Sequence, residues 1–251
     1  MIGARIVIKR GNKDDGERPF WISFSDLMTA LMVVFLLVMS VALLAVTKDV
    51  SEQQRKAEER RKDIKELVSQ LDVAAQSFTN VNVNQDEQND YQNPFIDFGP
   101  LATFDLGKSQ LKDSTKSVLR AYIMKLLSVA NTEKGKKWFK QIVVEGYTDN
   151  TGTYLNNLDL SLRRSQRLVC VLLDELKPEN AALSAVQKEQ VRKLFLVGGY
   201  SSNSAKSDDA LSRRIELKLK FFEISDVENK DGLSQVDYTT PIGSCALGNE
   251  L

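Results

Sequence analysis

The chain has 251 residues, room for one ordinary domain with length to spare or for two small ones. Its 34 Lys and Arg balance 34 Asp and Glu without a basic run, which argues against a dedicated nucleic-acid binder, whose affinity rests on neutralising phosphates. It contains no histidine, so no Ser-His-Asp, Cys-His or His-metal arrangement can be assembled, and the sequence predicts neither an enzyme nor a metal or other cofactor.

From Leu27 to Thr47 run 21 uncharged residues dense in Leu, Val, Met and Ala. At a helical rise they span about 32 Å, enough to cross a hydrocarbon core. A cleaved leader would need a small-x-small site, and Ala45-Val46-Thr47 is a poor one, so the sequence predicts a retained anchor. Arg18-Pro19 marks its near end, and Phe20, Trp21 and Phe24 suit an interface where aromatic rings collect. Flanking charge leaves orientation open: residues 1–18 hold five Lys or Arg, residues 48–65 seven.

Asp26 is the one charge between Phe20 and Thr47. Either it lies within a span that begins at Pro19, or it is an interfacial residue heading a span that begins at Leu27. Inside the span it would be costly by several kcal/mol and would face protein or a water path. Ile22, Thr29, Ala30 and Val33 share its helical face, and the small Thr29 and Ala30 would let another helix come close. A carboxyl that alternates between neutral and charged can carry an ion, and one charge moved through 100 mV is worth about 2.3 kcal/mol. One helix cannot seal such a path, so the others must come from a second copy or a different subunit.

The stretch Pro19 to Met39, with its Phe-Trp-Ile-Ser-Phe-Ser-Asp-Leu-Met-Thr-Ala-Leu-Met run, resembles the transmembrane helix of the MotB family of ion-driven stator subunits. The resemblance implies that Asp26 is the ion-carrying aspartate, for H+ or Na+. It also implies a homodimer of this chain inside a pentamer of a larger, multi-helix, MotA-like subunit. Within that family the wording is most similar to the ZorB subunits of the Zorya anti-phage defence system, whose partner would be ZorA-like. A flagellar stator subunit, or a static tether between inner membrane and cell wall, is the alternative.

Residues 48–75 contain no Gly or Pro and are rich in helix formers, so the helix is expected to continue as a stalk. Leu36, Leu43, Val50, Ala57, Ile64 and Leu71 recur every seven residues, with Met39, Val46, Leu67 and Ala74 as companions, interrupted by Gln53 and Arg60. This fits a parallel two-stranded seam, or equally a solvated single helix of mixed charge. The polar run from Gln76 to Asn93 reads as a flexible connection.

Beyond Pro94 the alternation predicts short strands at Phe95–Phe98 and Ala102–Phe104 and longer ones at Gln141–Tyr147, Lys193–Tyr200 and Arg214–Phe221. Helices are expected over Ser114–Ala130 and from about Asp159 to Leu176. Strands mixed with helices, with one sheet face solvated, argue a two-layer α/β sandwich.

Gly146-Tyr-Thr-Asp-Asn-Thr-Gly-Thr-Tyr-Leu-Asn-Asn-Leu-Asp-Leu-Ser-Leu-Arg-Arg-Ser-Gln-Arg resembles the OmpA-like peptidoglycan-binding motif, and Ser212-Arg213-Arg214-Ile215-Glu216 its closing strand, with Ser212 where an Asn is usual. The resemblance implies a grip on diaminopimelate, a residue of the wall's peptide stem. Asp149 would take its ammonium and Arg164 its carboxylate through forked hydrogen bonds, with Asn157 and Arg213 as further contacts. A simple loop-to-helix ion pair between Asp149 and Arg164 is the plainer reading, and Arg163 and Arg167 read as solvated charges. A wall grip puts this domain in the periplasm and the N-terminus in the cytoplasm of an inner-membrane, single-pass protein. Cys170 and Cys245 could then form one bridge within the chain, a bond between chains, or two thiols.

The expected class is α+β: cytoplasmic residues 1–18, a transmembrane helix over 19–47, stalk and linker over 48–93, an OmpA-like domain over 94–222 and a tail over 223–251. The expected partners are the bilayer, peptidoglycan, a second copy and the larger subunit, with no nucleic acid.

Overall fold

The computed structural model describes residues 20–85, 94–173, 183–228, 240–245 and 247, so the N-terminal segment 1–18 lies outside the described residues. The chain divides into two compact units, Met1–Arg55 and Lys56–Leu251. Helix α1, Phe20–Ala75, passes through both. No Gly or Pro interrupts its 56 residues, and the chain turns away soon after it at Asn80, whose φ is 66°.

In the first unit α1 is long and apolar enough to cross a membrane, and its large side chains from Leu27 to Val46 are exposed. The hydroxyls of Thr29, Ser40 and Thr47 donate back to the carbonyls of Ser25, Leu36 and Leu43, so the polar groups of this stretch are satisfied within the helix, as an apolar surrounding requires.

The second unit is a five-stranded mixed sheet in the order β1-β2-β5-β3-β4, packed against helices. The strands are β1 Asn82–Asn84, β2 Phe95–Asp97, β3 Phe139–Gly146, β4 Phe195–Gly199 and β5 Ile215–Phe221. β3 and β4 run parallel, joined through α4 (Tyr154–Leu173) and α5 (Ala185–Leu194), while the other neighbours are antiparallel. In β5 the residues Ile215, Leu217 and Leu219 are fully buried, as the alternation predicts. The same core takes in α2, Asp113–Ala130, which buries Leu119, Tyr122, Ile123, Leu126 and Leu127 at helical spacing.

Residues expected to form the stalk seam belong to this core. Ile64, Leu67 and Leu71, with Val68 and Ala75, are buried in the same cluster as the sheet residues. Around them Trp138 Nε1 donates to Asp63 at 2.9 Å, Lys134 meets Asp63 at 3.0 Å, and Arg60 donates to the Phe222 carbonyl at 2.9 Å. The spacing i, i+3, i+4, i+7 suits a domain core as well as a coiled coil, and here the helix enters the core of its own domain. The expected flexible connection is corrected at residues 82–84, which pair with β2 as an edge strand.

Other differences are local. Ala102–Phe104 is a 3-10 turn at Gly99–Ala102 followed by one bridge, Thr103 to Arg214, rather than a strand. Helix α4 begins at Tyr154, five residues before the expected Asp159, and the residues after Leu173 lie outside the described set until Leu183. Three short helices were not expected: α3 (Glu133–Trp138), α6 (Asp209–Ser212) and α7 (Ile224–Glu228). Neither was α5, although Ser184 and Gln187 form a reciprocal capping box readable in the sequence.

Candidate functional site

Where β3 and β4 end, two glycines let α4 lie directly on the sheet. A Cβ on Gly146 would stand 2.0 Å from the Ser161 carbonyl oxygen, and one on its register partner Gly199 would stand 2.8 Å from the Leu162 nitrogen. The close approach fixes the turn between β3 and α4. Gly152 in that turn has φ 99°, a backbone state that strains any side chain. Ser201, at the end of β4, receives the Thr148 amide on its carbonyl at 2.9 Å and donates its own amide to Ser161 Oγ at 3.0 Å.

Asp149 sits inside this lacework, 3% exposed. Its Oδ1 accepts the Thr151 amide at 3.0 Å and its Oδ2 accepts Arg213 Nη1 at 2.7 Å. Burial pushes the carboxyl up, but the Arg213 guanidinium and the Thr151 donors outweigh it and hold Asp149 below its usual range. Asn157 donates Nδ2 to the Asp149 carbonyl at 3.3 Å. Thr148 Oγ1, next to it, is buried with no hydrogen-bond partner among the described residues.

Arg164 is fully buried and donates to three backbone carbonyls: Nε to Lys108 at 3.0 Å, Nη1 to Tyr147 at 2.8 Å and Nη2 to Asp105 at 3.2 Å. Its guanidinium also lies over the Phe104 ring, 4.9 Å from the centroid. A forked pair to a ligand carboxylate would have to displace those bonds. Arg213 is the more open guanidinium, its side chain 18% exposed, bridging the Phe104 carbonyl at 2.9 Å and Asp149. The expected group Asp149, Asn157, Arg164 and Arg213 is therefore brought to one place, with Arg213 rather than Arg164 as the ion-pair partner of Asp149.

Ser212, at the position of the usual Asn, is fully buried and bonds Lys206 and Asp208. Arg163 pairs with Asp159 on the surface, whereas Arg167 is not a solvated charge: it donates to the carbonyls of Ser109 and Leu247. Cys170 and Cys245 are joined in a disulfide within the chain. On the sheet face away from α4, Tyr147 donates to Glu145 at 2.7 Å and Arg214 to Glu216 at 2.6 Å, an opposed carboxylate pair neutralised by Arg214 and Lys218. Burial, then the bond to Glu145, pushes the Tyr147 phenol well up, so it stays a hydrogen-bond donor over the physiological range. Asp26, in the other unit, is exposed on α1.

Residues 103–191 match the OmpA family, and residues 8–56 match the family described as membrane MotB of the proton-channel complex MotA/MotB. A protein named Zorya protein ZorB, from Escherichia coli O139:H28 (strain E24377A / ETEC), is 41% identical over 238 residues, covering 95% of this chain and 94% of that one. The chain belongs to the ZorB family. A second ZorB, from the Escherichia coli Crooks strain, is 26% identical over 231 residues, 86% of this ZorB-family chain and 93% of its own. Among solved structures, the periplasmic domain of Helicobacter pylori MotB has a TM-score of 0.41 and 14% identity over 64% of this chain and 94% of its own. The cell wall anchor of the type VI secretion system from Pseudomonas aeruginosa has a TM-score of 0.40 and 16% identity over 61% and 96%.

Proposed function

We infer that this chain is the small stator-like subunit of a Zorya motor: a single-pass inner-membrane protein with its N-terminus in the cytoplasm and its second unit moored to peptidoglycan. The observation that carries the reading is Asp26, the sole charge in a helical run from Phe20 to Thr47, in a chain whose other unit has the OmpA-type fold. A larger, ZorA-like subunit of several helices, taken as a pentamer around two copies of this chain, supplies the walls of the path. Asp26 takes up and releases H+ or Na+, and each change of charge drives a step in that partner. Mooring one part lets the other turn.

At the wall, a diaminopimelate stem meets the turn between β3 and α4. Asp149, held ionised, receives the ammonium, and Arg213 offers the carboxylate a guanidinium that is part exposed. Asn157 and Arg164 support the contact, Arg164 by holding the turn that borders it. The test pairs two variants in the full chain co-expressed with its partner. Asp26→Asn should abolish ion flux into vesicles while sacculus binding persists. Asp149→Ala should lose sacculus binding. Full flux in Asp26→Asn would leave a static tether in place of the motor.

A further inference from the structure

One backbone conformation beside the wall site is out of keeping with its residue. Ser201, two positions beyond the end of β4, is fully buried and has φ 54°. That left-handed state crowds a Cβ against the backbone, and it suits glycine, or at times asparagine, rather than serine. Among the described non-glycine residues a positive φ recurs at Asn80 alone. A serine stays in such a state where its surroundings hold it there, and residues held in this way gather at functional sites.

Three bonds hold Ser201. Its carbonyl accepts the Thr148 amide at 2.9 Å, its amide donates to Ser161 Oγ at 3.0 Å, and its hydroxyl donates to the Tyr154 carbonyl at 3.1 Å. Ser161 Oγ reaches that amide across Gly199, where a Cβ would stand 2.8 Å from it. Thr148 begins the turn that carries Asp149, and Tyr154 is the first residue of α4, which ends it. One residue therefore clasps both ends of the turn. Between those ends lie Asp149 and Thr151, whose amide donates to Asp149 Oδ1 at 3.0 Å.

We propose that Ser201 is a positioning residue for the wall site: by tying Thr148 to Tyr154 it sets the span of the intervening turn, and with it the seat that Asp149 offers the ammonium of the peptide stem. The hydroxyl is what a glycine, relaxed at this φ, would lack. Without it the link from Ser201 to Tyr154 is lost, the turn widens, and the Thr151 amide draws away from Asp149. The inference rests on the wall-binding reading of Asp149 and Arg213.

The test uses the full-length chain in detergent and a soluble diaminopimelate-containing muropeptide as probe, with Ser201→Gly and Ser201→Ala compared below the melting temperature of each. Both lose the hydroxyl, but glycine alone relieves the strain, so Ser201→Gly should melt higher than Ser201→Ala. Binding should not follow that order: both should weaken about tenfold. The acid limb of binding gives a readout that stability alone would not move. Burial pushes Asp149 up, but Arg213, just before β5, and Thr151 in the turn itself hold it below its usual range, while α4 presents the uncharged Asn157. A widened turn weakens the Thr151 share and raises the carboxyl, so on acidification binding should fail at a higher pH in Ser201→Gly than in wild type. Wild-type affinity in Ser201→Gly, or a loss of affinity with an unmoved acid limb, would overturn the clasp and leave the wall reading standing. A wild-type chain that does not bind the muropeptide would overturn both.

Discussion

Asp26 and Asp149 are the same side chain set in opposite surroundings. Asp26 stands exposed on a helix among uncharged neighbours, the exposed Phe24, Leu27 and Met28 with Ser25 and Thr29, and with no cation beside it in the sequence. Asp149 is closed in by a guanidinium and a backbone amide that fix it as an anion. The proposed roles fit that contrast: a carboxylate that changes charge is best kept away from fixed counter-charges, whereas one that recognises a cation is best pre-ionised and pre-oriented. The two units differ accordingly: the first keeps its hydroxyls bonded to its own helix and leaves Asp26 exposed, and the second encloses Asp149 and Arg164 in a buried network.

That contrast is most sharply tested at Arg164. Arg164→Ala should destabilise the second unit by about 3–5 kcal/mol, since three carbonyls lose a buried charged donor and a cavity opens. Calorimetry of the chain should show that transition moving, and an unchanged melt would mean the internal network is not what holds the turn. Next in size, Leu67→Ala should lower the same transition by about 2–4 kcal/mol, because Leu67 is fully buried in the core. Leu36→Ala in the first unit should leave it where it was, and equal effects would erase the distinction between the two halves of α1.

Acid provides a gentler probe. Asp149 is held below its ordinary value of 3.8, so its contribution is complete above about pH 4 and drains away as the pH falls through the lower, folded-state value. Asp149→Asn should therefore melt lower than wild type at pH 6, and the gap should narrow toward pH 3. A gap that widened on acidification would reverse the assignment. The smallest effect is expected at Lys137, whose pair with Glu59 is half exposed: Lys137→Ala should shift stability by less than about 1 kcal/mol. A large shift there would show that surface charges, rather than the layer beneath, dock α1.

The strands of the second unit are readable because β5 alternates strictly, with one face apolar and the other charged, and β3 carries the β-branched run Ile142-Val143-Val144. The docking of Ile64, Leu67 and Leu71 is not, since the same spacing serves a second helix or a sheet, and only the surface they meet decides. At the site, Asp149, Asn157 and Arg164 lie close together in sequence around one turn and can be found there. The pairing of Asp149 with Arg213 spans 64 positions and exists only because β5 lies beside β3. The bonds of Arg167 to Ser109 and Leu247 leave no mark in the sequence, for they end on backbone carbonyls, which every residue possesses.

The buried layer from Ile64 to Ala75 also has a mechanical meaning. A pull along that half of α1 does not arrive at one peptide link. It is spread in shear over the apolar row, the Asp63–Trp138 bond and the Arg60 contact, which must all slide at once. Such a joint resists as a glued lap does, its bonds loaded together rather than peeled apart one by one.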